Sequence, residues 1–230
     1  MTQFKHLTRP ELIIYDWDNT IVDTSDVITN VVNRLRADIG KPPLGNAEIL
    51  DSTGDPDCEW VIEIFGTKSE TNAKKYVEYY AEANASFAAK LLPNALEMIQ
   101  YVSKLGIYQA VLTNKESVVA HNECAVIGMR DYFVEFVGRC DVPNKKPATD
   151  GIEMIVDNIR RHHGKGLKPE NIWFIGDTMV DVACAGNFDC PMLFVGQEDW
   201  IREKYKKYIY AMGDLAFARK MLENACENCI

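Results

Sequence analysis

In the second half of the chain, short apolar runs alternate with helix-like stretches, and that alternation limits the fold more than any other feature of the sequence. The run IYQAVLT (107–113) leads into a helical stretch that ends near Gly128, and YFVEFVG (132–138) into a polar loop and a helix over 149–163 that stops at Gly164. IWFIGD (172–177) precedes a short helix ending near Gly186, and MLFVG (192–196) follows it. Strands and helices in succession with short connections imply right-handed crossovers, hence mainly parallel strands with helices on both faces. Near the N-terminus, LIIY (12–15) is continuously apolar, as a strand buried on both sides is. The expected fold class is therefore α/β, a doubly wound, mainly parallel sheet.

Residues 23–90 interrupt that rhythm. Val27, Val31, Leu35 and Ile39 recur every four residues, as on one face of a helix. Asp55-Pro56 reads as an N-cap with a first-turn proline, and Thr67 to Glu70 as a capping box opening a helix that runs to Ala89. Tyr76, Tyr79, Tyr80 and Phe87 supply that helix with a packing stripe. An all-helical block inserted after the first strand reads as a cap domain over 23–90, leaving 1–22 and 91–230 to the α/β core. The core resumes with PNALEMIQYVSKLG (93–106), a proline-started helix stopped by Gly106.

Composition narrows the partners. Lys and Arg number 25 against 34 Asp and Glu, a net charge of -9, and no basic face is evident that would follow a phosphate backbone, so nucleic acid is not expected. No apolar run approaches the ~18 residues of a membrane span, and the first residues lack a signal-peptide core, so a cytoplasmic protein is expected. Seven cysteines, an odd number in a chain of this size, suit reduced thiols. Cys226 and Cys229 form a lone CxxC, which reads as an ordinary tail. The oligomeric state stays open.

The chemistry collects where strands end. Ligands of open parallel sheets bind outside the carboxyl ends of the strands. There the sequence places Asp16 and Asp18 of DWDNT (16–20), Thr113-Asn114-Lys115, the loop Asn144 to Pro147, and Asp177 with Asp181. Side chains two apart on extended backbone point the same way, which puts Asp16 and Asp18 on one side and Trp17 on the other. Two such carboxylates about 5 Å apart repel by about 3 kcal/mol at an effective dielectric of about 20, so the set needs countercharge. A lysine and a divalent oxygen-seeking cation supply it, and Mg2+ commonly combines carboxylates with water and a substrate phosphate. Thr113 and Asn114 can donate to phosphate oxygens. A small phosphorylated metabolite is the expected partner.

The ordered set DWDNT, TNK, NKKP and GDTMVD resembles the haloacid dehalogenase superfamily, in particular its phosphatases with a small helical cap, the group of phosphoglycolate phosphatase and β-phosphoglucomutase. The resemblance implies a Rossmann-like core and an aspartyl-phosphate mechanism. It implies that Asp16 is the nucleophile and that Asp18 first protonates the leaving alkoxide and then activates water. It further implies that Thr113 binds the transferring phosphoryl group and that Lys146 neutralises charge on Asp16 and the phosphate. Mg2+ would be held by Asp16, the main-chain carbonyl of Asp18, and Asp177, with Asp181 close by. Two positions depart from the family pattern. Asn19 replaces the usual glycine, although asparagine also tolerates positive φ, and Thr149 replaces the second proline of the lysine loop. The Lys-Pro order favours Lys146 over Lys145. A phosphomutase that returns the phosphate to its product, and an idle binding protein on the same fold, are the alternatives. Asp23 is expected to cap the helix beginning near residue 25, Lys115 to be solvated, and His162 and His163 to suit a helix C-terminus.

Overall fold

The computed structural model describes residues 7–49, 64–66, 69–85, 90–196 and 209–227. They fall into two compact units, Asp23–Lys90 and Met1–Val22 with Leu91–Ile230.

The smaller unit contains α1 (Ser25–Asp38) and α2 (Glu70–Ala85), which pack together. Its core joins Val32 and Leu35 of α1 to Ile49, Ile64 and Phe65, with Tyr76 and Tyr79 of α2 packed against it. Tyr80 lies in tilted contact with Tyr76. Asp23 accepts hydrogen bonds from the Ser25 backbone N–H (3.3 Å) and hydroxyl (2.6 Å), so it meets the first residue of α1, but the expected cap is corrected: Thr24 occupies the N-cap position, one residue closer to the helix. The four-residue spacing of apolar residues overruns the helix, however: α1 ends at Asp38, and Ile39 is 37% exposed. The chain turns there because Gly40 takes φ +71° and the Lys41 N–H closes back on the Arg36 carbonyl. The expected features at Asp55-Pro56, Thr67, Phe87 and Cys229 lie outside the described residues.

In the larger unit six strands form one parallel sheet: β1 (Leu12–Tyr15), β2 (Tyr108–Leu112), β3 (Glu135–Val137), β4 (Ile172–Gly176), β5 (Met192–Val195) and β6 (Ile209–Gly213), ordered β3-β2-β1-β4-β5-β6. Between them run α3 (Ala95–Lys104), α4 (Ser117–Val126), α5 (Asp150–His163) and α6 (Met179–Phe188), and α7 (Leu215–Glu227) closes the unit. Alternation along the strands divides two cores. Leu12, Ile14, Leu112 and Phe174 pack with Ile152, Ile155 and Ile159 of α5 and Val182 and Ala185 of α6. On the other face Tyr15 donates its hydroxyl to Gln109 (3.1 Å), and Gln109 donates to the Ile99 carbonyl of α3 (3.1 Å). A buried polar pair thus tells the two faces apart, with each member satisfied.

Helix boundaries follow local chemistry. α5 stops where Gly164 takes φ +65° and returns its N–H to the Arg160 carbonyl. The apolar run 132–138 is only partly a strand. Residues Arg130–Tyr132 form a 3-10 turn, and Phe133 is buried because its ring packs edge-on to Tyr15 and Trp17. β6 and α7 have no counterpart among the sequence expectations, and Cys226 sits in α7. No helix among the described residues is long and apolar enough to cross a membrane.

Candidate active site

The strand order reverses between β1 and β4, which is where a parallel sheet opens a crevice at its carboxyl edge. Asp16 stands at that edge with its direction fixed, because its N–H continues the ladder to the Ile175 carbonyl (2.8 Å). Asp177 follows β4 immediately, and Asp181 lies in the first turn of α6. One carboxylate oxygen from each of Asp16, Asp177 and Asp181 lies within 4.8 Å of the others. Lys146 reaches the group from the loop before α5: its Nζ is 2.8 Å from Asp16 Oδ1 and 2.7 Å from Asp181 Oδ1, and its side chain is 2% exposed.

Each member is held by a neighbour. Thr20 donates its hydroxyl to Asp177 Oδ1 (2.7 Å). Asp181 Oδ2 accepts from the Thr178 N–H (3.0 Å) and hydroxyl (2.6 Å) in a capping box at the start of α6. The lysine loop is tied down by Asn114, whose side-chain amide donates to the Lys146 carbonyl (3.1 Å), and by Asn187, which donates to the Pro147 carbonyl (3.0 Å). Thr113 is buried at the end of β2, its N–H bonded to the Val137 carbonyl. Asn19 takes φ 54°, so the turn after Asp18 is built with asparagine in the left-handed region.

Electrostatics follow from this crowding. Burial first, then repulsion from Asp181 and Asp18, pushes the Asp16 carboxyl up to about 7 against the pull of Lys146. Burial and the charges of Asp16 and Asp181 hold Asp177 well above the usual carboxylate range. Burial acts to discharge Lys146, but Asp16 and Asp181 outweigh it and keep the ammonium above the usual lysine range. Three all-oxygen side chains facing one lysine therefore form a site short of positive charge. That donor set fits a hard divalent cation such as Mg2+.

Asp18 does not join that carboxylate group. Its Oδ1 lies 2.6 Å from Lys115 Nζ, and Lys115 also meets Glu123 Oε2 at 2.9 Å. The expectation that Lys115 is solvated is corrected: its side chain is 5% exposed, because α4 presents a buried glutamate to it. Sequence reading also assigned no part to Thr20, Thr178 or Glu123. The Thr178 to Asp181 spacing carries the signal of an N-cap, whereas a hydroxyl that steadies a carboxylate from another strand leaves no spacing signal.

Gly176 explains how closely β4 and α6 approach. A Cβ there would lie 2.6 Å from both Cβ and Cγ of Asp181. Gly176→Ala is expected to lower the unfolding free energy by about 1–3 kcal/mol, the usual range for overpacking a closed site. Urea denaturation measures this, and an unchanged midpoint would mean that Asp181 has room to move.

Comparison with known proteins gives one consistent direction. A family profile described as "Haloacid dehalogenase-like hydrolase" matches residues 13–195. A phosphoglycolate phosphatase of Chromobacterium violaceum is 26% identical over 201 residues, covering 84% of this chain and 86% of that protein. Phosphoglycolate phosphatase 1 of Pseudomonas aeruginosa is 26% identical over 199 residues, covering 81% and 70%. Among solved structures, a haloacid dehalogenase-like hydrolase of Streptococcus pneumoniae superposes with a TM-score of 0.69 at 21% identity, covering 90% of this chain and 94% of that one.

Proposed function

The chain belongs to the haloacid dehalogenase-like hydrolase family, and from that premise we propose that it is a Mg2+-dependent phosphomonoesterase acting on a small phosphorylated metabolite through an aspartyl phosphate. The observation that carries this reading is the buried group of Asp16, Asp177 and Asp181 bridged by Lys146 at the carboxyl edge of the sheet. Phosphoglycolate is the substrate to try first, since curated relatives at 26% identity carry that activity in their names. The helical unit Asp23–Lys90 is read as the cap insertion of such phosphatases. Free thiols at Cys124, Cys140, Cys184, Cys190 and Cys226 support a cytoplasmic setting.

The chain's own residues account for the steps. Asp16 attacks phosphorus through a carboxylate oxygen; the ester P–O bond breaks, and the leaving alkoxide takes the proton of Asp18. Water then gives a proton back to Asp18 and attacks the same phosphorus, and the bond to Asp16 breaks to release inorganic phosphate. Lys146 reduces the repulsion between Asp16 and an anionic phosphate, and the Thr113 hydroxyl is available to donate to a phosphate oxygen. Asn114 acts mainly by holding the lysine loop. Asp16, Asp177 and the Asp18 main-chain carbonyl, with Asp181 beside them, are the residues to hold Mg2+, which supplies charge neutralisation at the transferring phosphoryl group.

The test is inorganic phosphate release from 2-phosphoglycolate and a set of sugar phosphates, with Mg2+ and with excess chelator. Release that needs Mg2+ and stops with chelator is the expected result. Release indifferent to the chelator, or an isomeric phosphate ester formed without free phosphate, would overturn the reading.

A further inference from the structure

Asp16 and Asp18 are two residues apart, yet each is drawn to a different buried lysine. Asp16 meets Lys146, whereas Asp18 meets Lys115, which lies just beyond the end of β2. Lys115 in turn bonds both carboxylate oxygens of Glu123 at 2.9 Å, and the Glu123 side chain is 4% exposed. Glu123 Oε2 also accepts the indole N–H of Trp17 at 2.6 Å. Trp17 is fully buried and packs edge-on to Phe133 and Phe136. The contacts therefore close a ring, Asp18 to Lys115 to Glu123 to Trp17, whose ends are consecutive residues of the chain.

A buried lysine-glutamate pair is an expensive way to fill space, and apolar residues of the same volume commonly do as well or better. Here the pair makes two contacts that an apolar pair would lack: Glu123 accepts the Trp17 indole N–H and so is fixed to the turn that carries Asp18, and the Lys115 ammonium meets Asp18 itself. The Lys115 main chain is held whatever its side chain, its N–H on Thr113 Oγ1 (3.1 Å) and its carbonyl accepting from the Arg139 N–H (3.1 Å). The side chain left to be oriented is Asp18, the partly exposed member, at 22%.

We propose that Lys115 and Glu123 are a positioning pair for Asp18, which keep its carboxylate apart from the Lys146 cluster and aimed at the leaving-group oxygen. This rests on the phosphatase reading above, and the experiment separates the two. A proton from Asp18 matters for an alkoxide leaving group and not for nitrophenolate. Wild type, Lys115→Met, and the charge-balanced double variant Lys115→Gln with Glu123→Gln are compared with Mg2+ present. The two readouts are kcat on 2-phosphoglycolate and first-turnover nitrophenolate release from p-nitrophenyl phosphate.

The variants are expected to lose about 100-fold in kcat on phosphoglycolate, within the usual range for displaced general acid-base catalysis, and less than about threefold in the nitrophenolate burst. Equal losses in both readouts, or undiminished kcat on phosphoglycolate, would overturn the proposal. If Lys115→Met does not fold, the double variant decides alone, by the same pattern. A wild type inert toward both compounds would instead overturn the phosphatase reading, and this proposal with it.

Discussion

Asp16→Asn is expected to release no phosphate above background, a loss of about 10⁴-fold or more in kcat, the scale seen when a covalent nucleophile is removed. The amide keeps the size of the side chain and an oxygen for Lys146, 2.8 Å away in the native protein, so the fold has no reason to change. What disappears is the anionic oxygen that must bond to phosphorus. Phosphate release with Mg2+ measures the loss, and intact-mass analysis after a short incubation with substrate adds a second readout: a phosphate adduct on wild type and none on the variant. A variant that keeps a tenth of wild-type turnover would exclude Asp16 as the nucleophile.

The same substitution should act in the opposite direction on stability. Burial, with repulsion from Asp181 and Asp18, pushes the Asp16 carboxyl up to about 7 in the folded protein, from 3.8 for an ordinary aspartate. Below the ordinary value both states are protonated and no penalty exists. As pH rises through the interval, the folded state holds a proton that the unfolded state has lost, so stability falls until the penalty is complete above about pH 7. Asn carries no such charge. In chelator at pH 8, Asp16→Asn is expected to exceed wild type by at least about 1 kcal/mol in unfolding free energy, and the gap should close toward pH 4. Urea denaturation at the two pH values checks the sign.

Much of this architecture is legible in the sequence because the α/β core repeats one local rule. LIIY, QAVL and IWFIG are short and apolar, as strands buried on both faces are, and topology alone places the polar residue after each at the crevice edge. The sequence therefore places Asp16 and Asp177 side by side, and their carboxylates do lie together. The 132–138 run misleads because its apolar content serves two purposes, a short strand and an aromatic wedge against Trp17. IYAMG gave no signal of β6, since Tyr210 and Gly213 are only partly buried at an outer position of the sheet. Lys115 carries no such local signal. A lysine after a strand is ordinarily solvated, and only the fold brings Glu123 to it from a helix whose own pattern does not mark that position as buried.

Lys146→Met carries the second large effect, and it falls on stability and activity together. The lysine supplies the positive charge between Asp16 and Asp181 at a position where its side chain is 2% exposed. Removing one partner from a buried ionic group typically costs about 3–5 kcal/mol, because the remaining charges are left without compensation. Protons can replace part of that compensation, and Asp16 and Asp177 are already pushed toward protonation. The loss in chelator is therefore expected to be about 3 kcal/mol at pH 8 and markedly smaller at pH 5. Adding Mg2+ should recover part of it by mass action, since the cation binds only the folded carboxylate group. Activity should still fall by at least about 10²–10³-fold, as a bound cation does not replace the ammonium that faces the phosphate. Lys146→Arg should not restore it: a planar guanidinium is larger and forked, and the two oxygens it must meet, at 2.8 and 2.7 Å from the native Nζ, are arranged around a point charge. Urea denaturation at the two pH values, with and without Mg2+, together with phosphate release, tests each step. A pH-independent stability loss would mean that Lys146 acts through packing and not through charge.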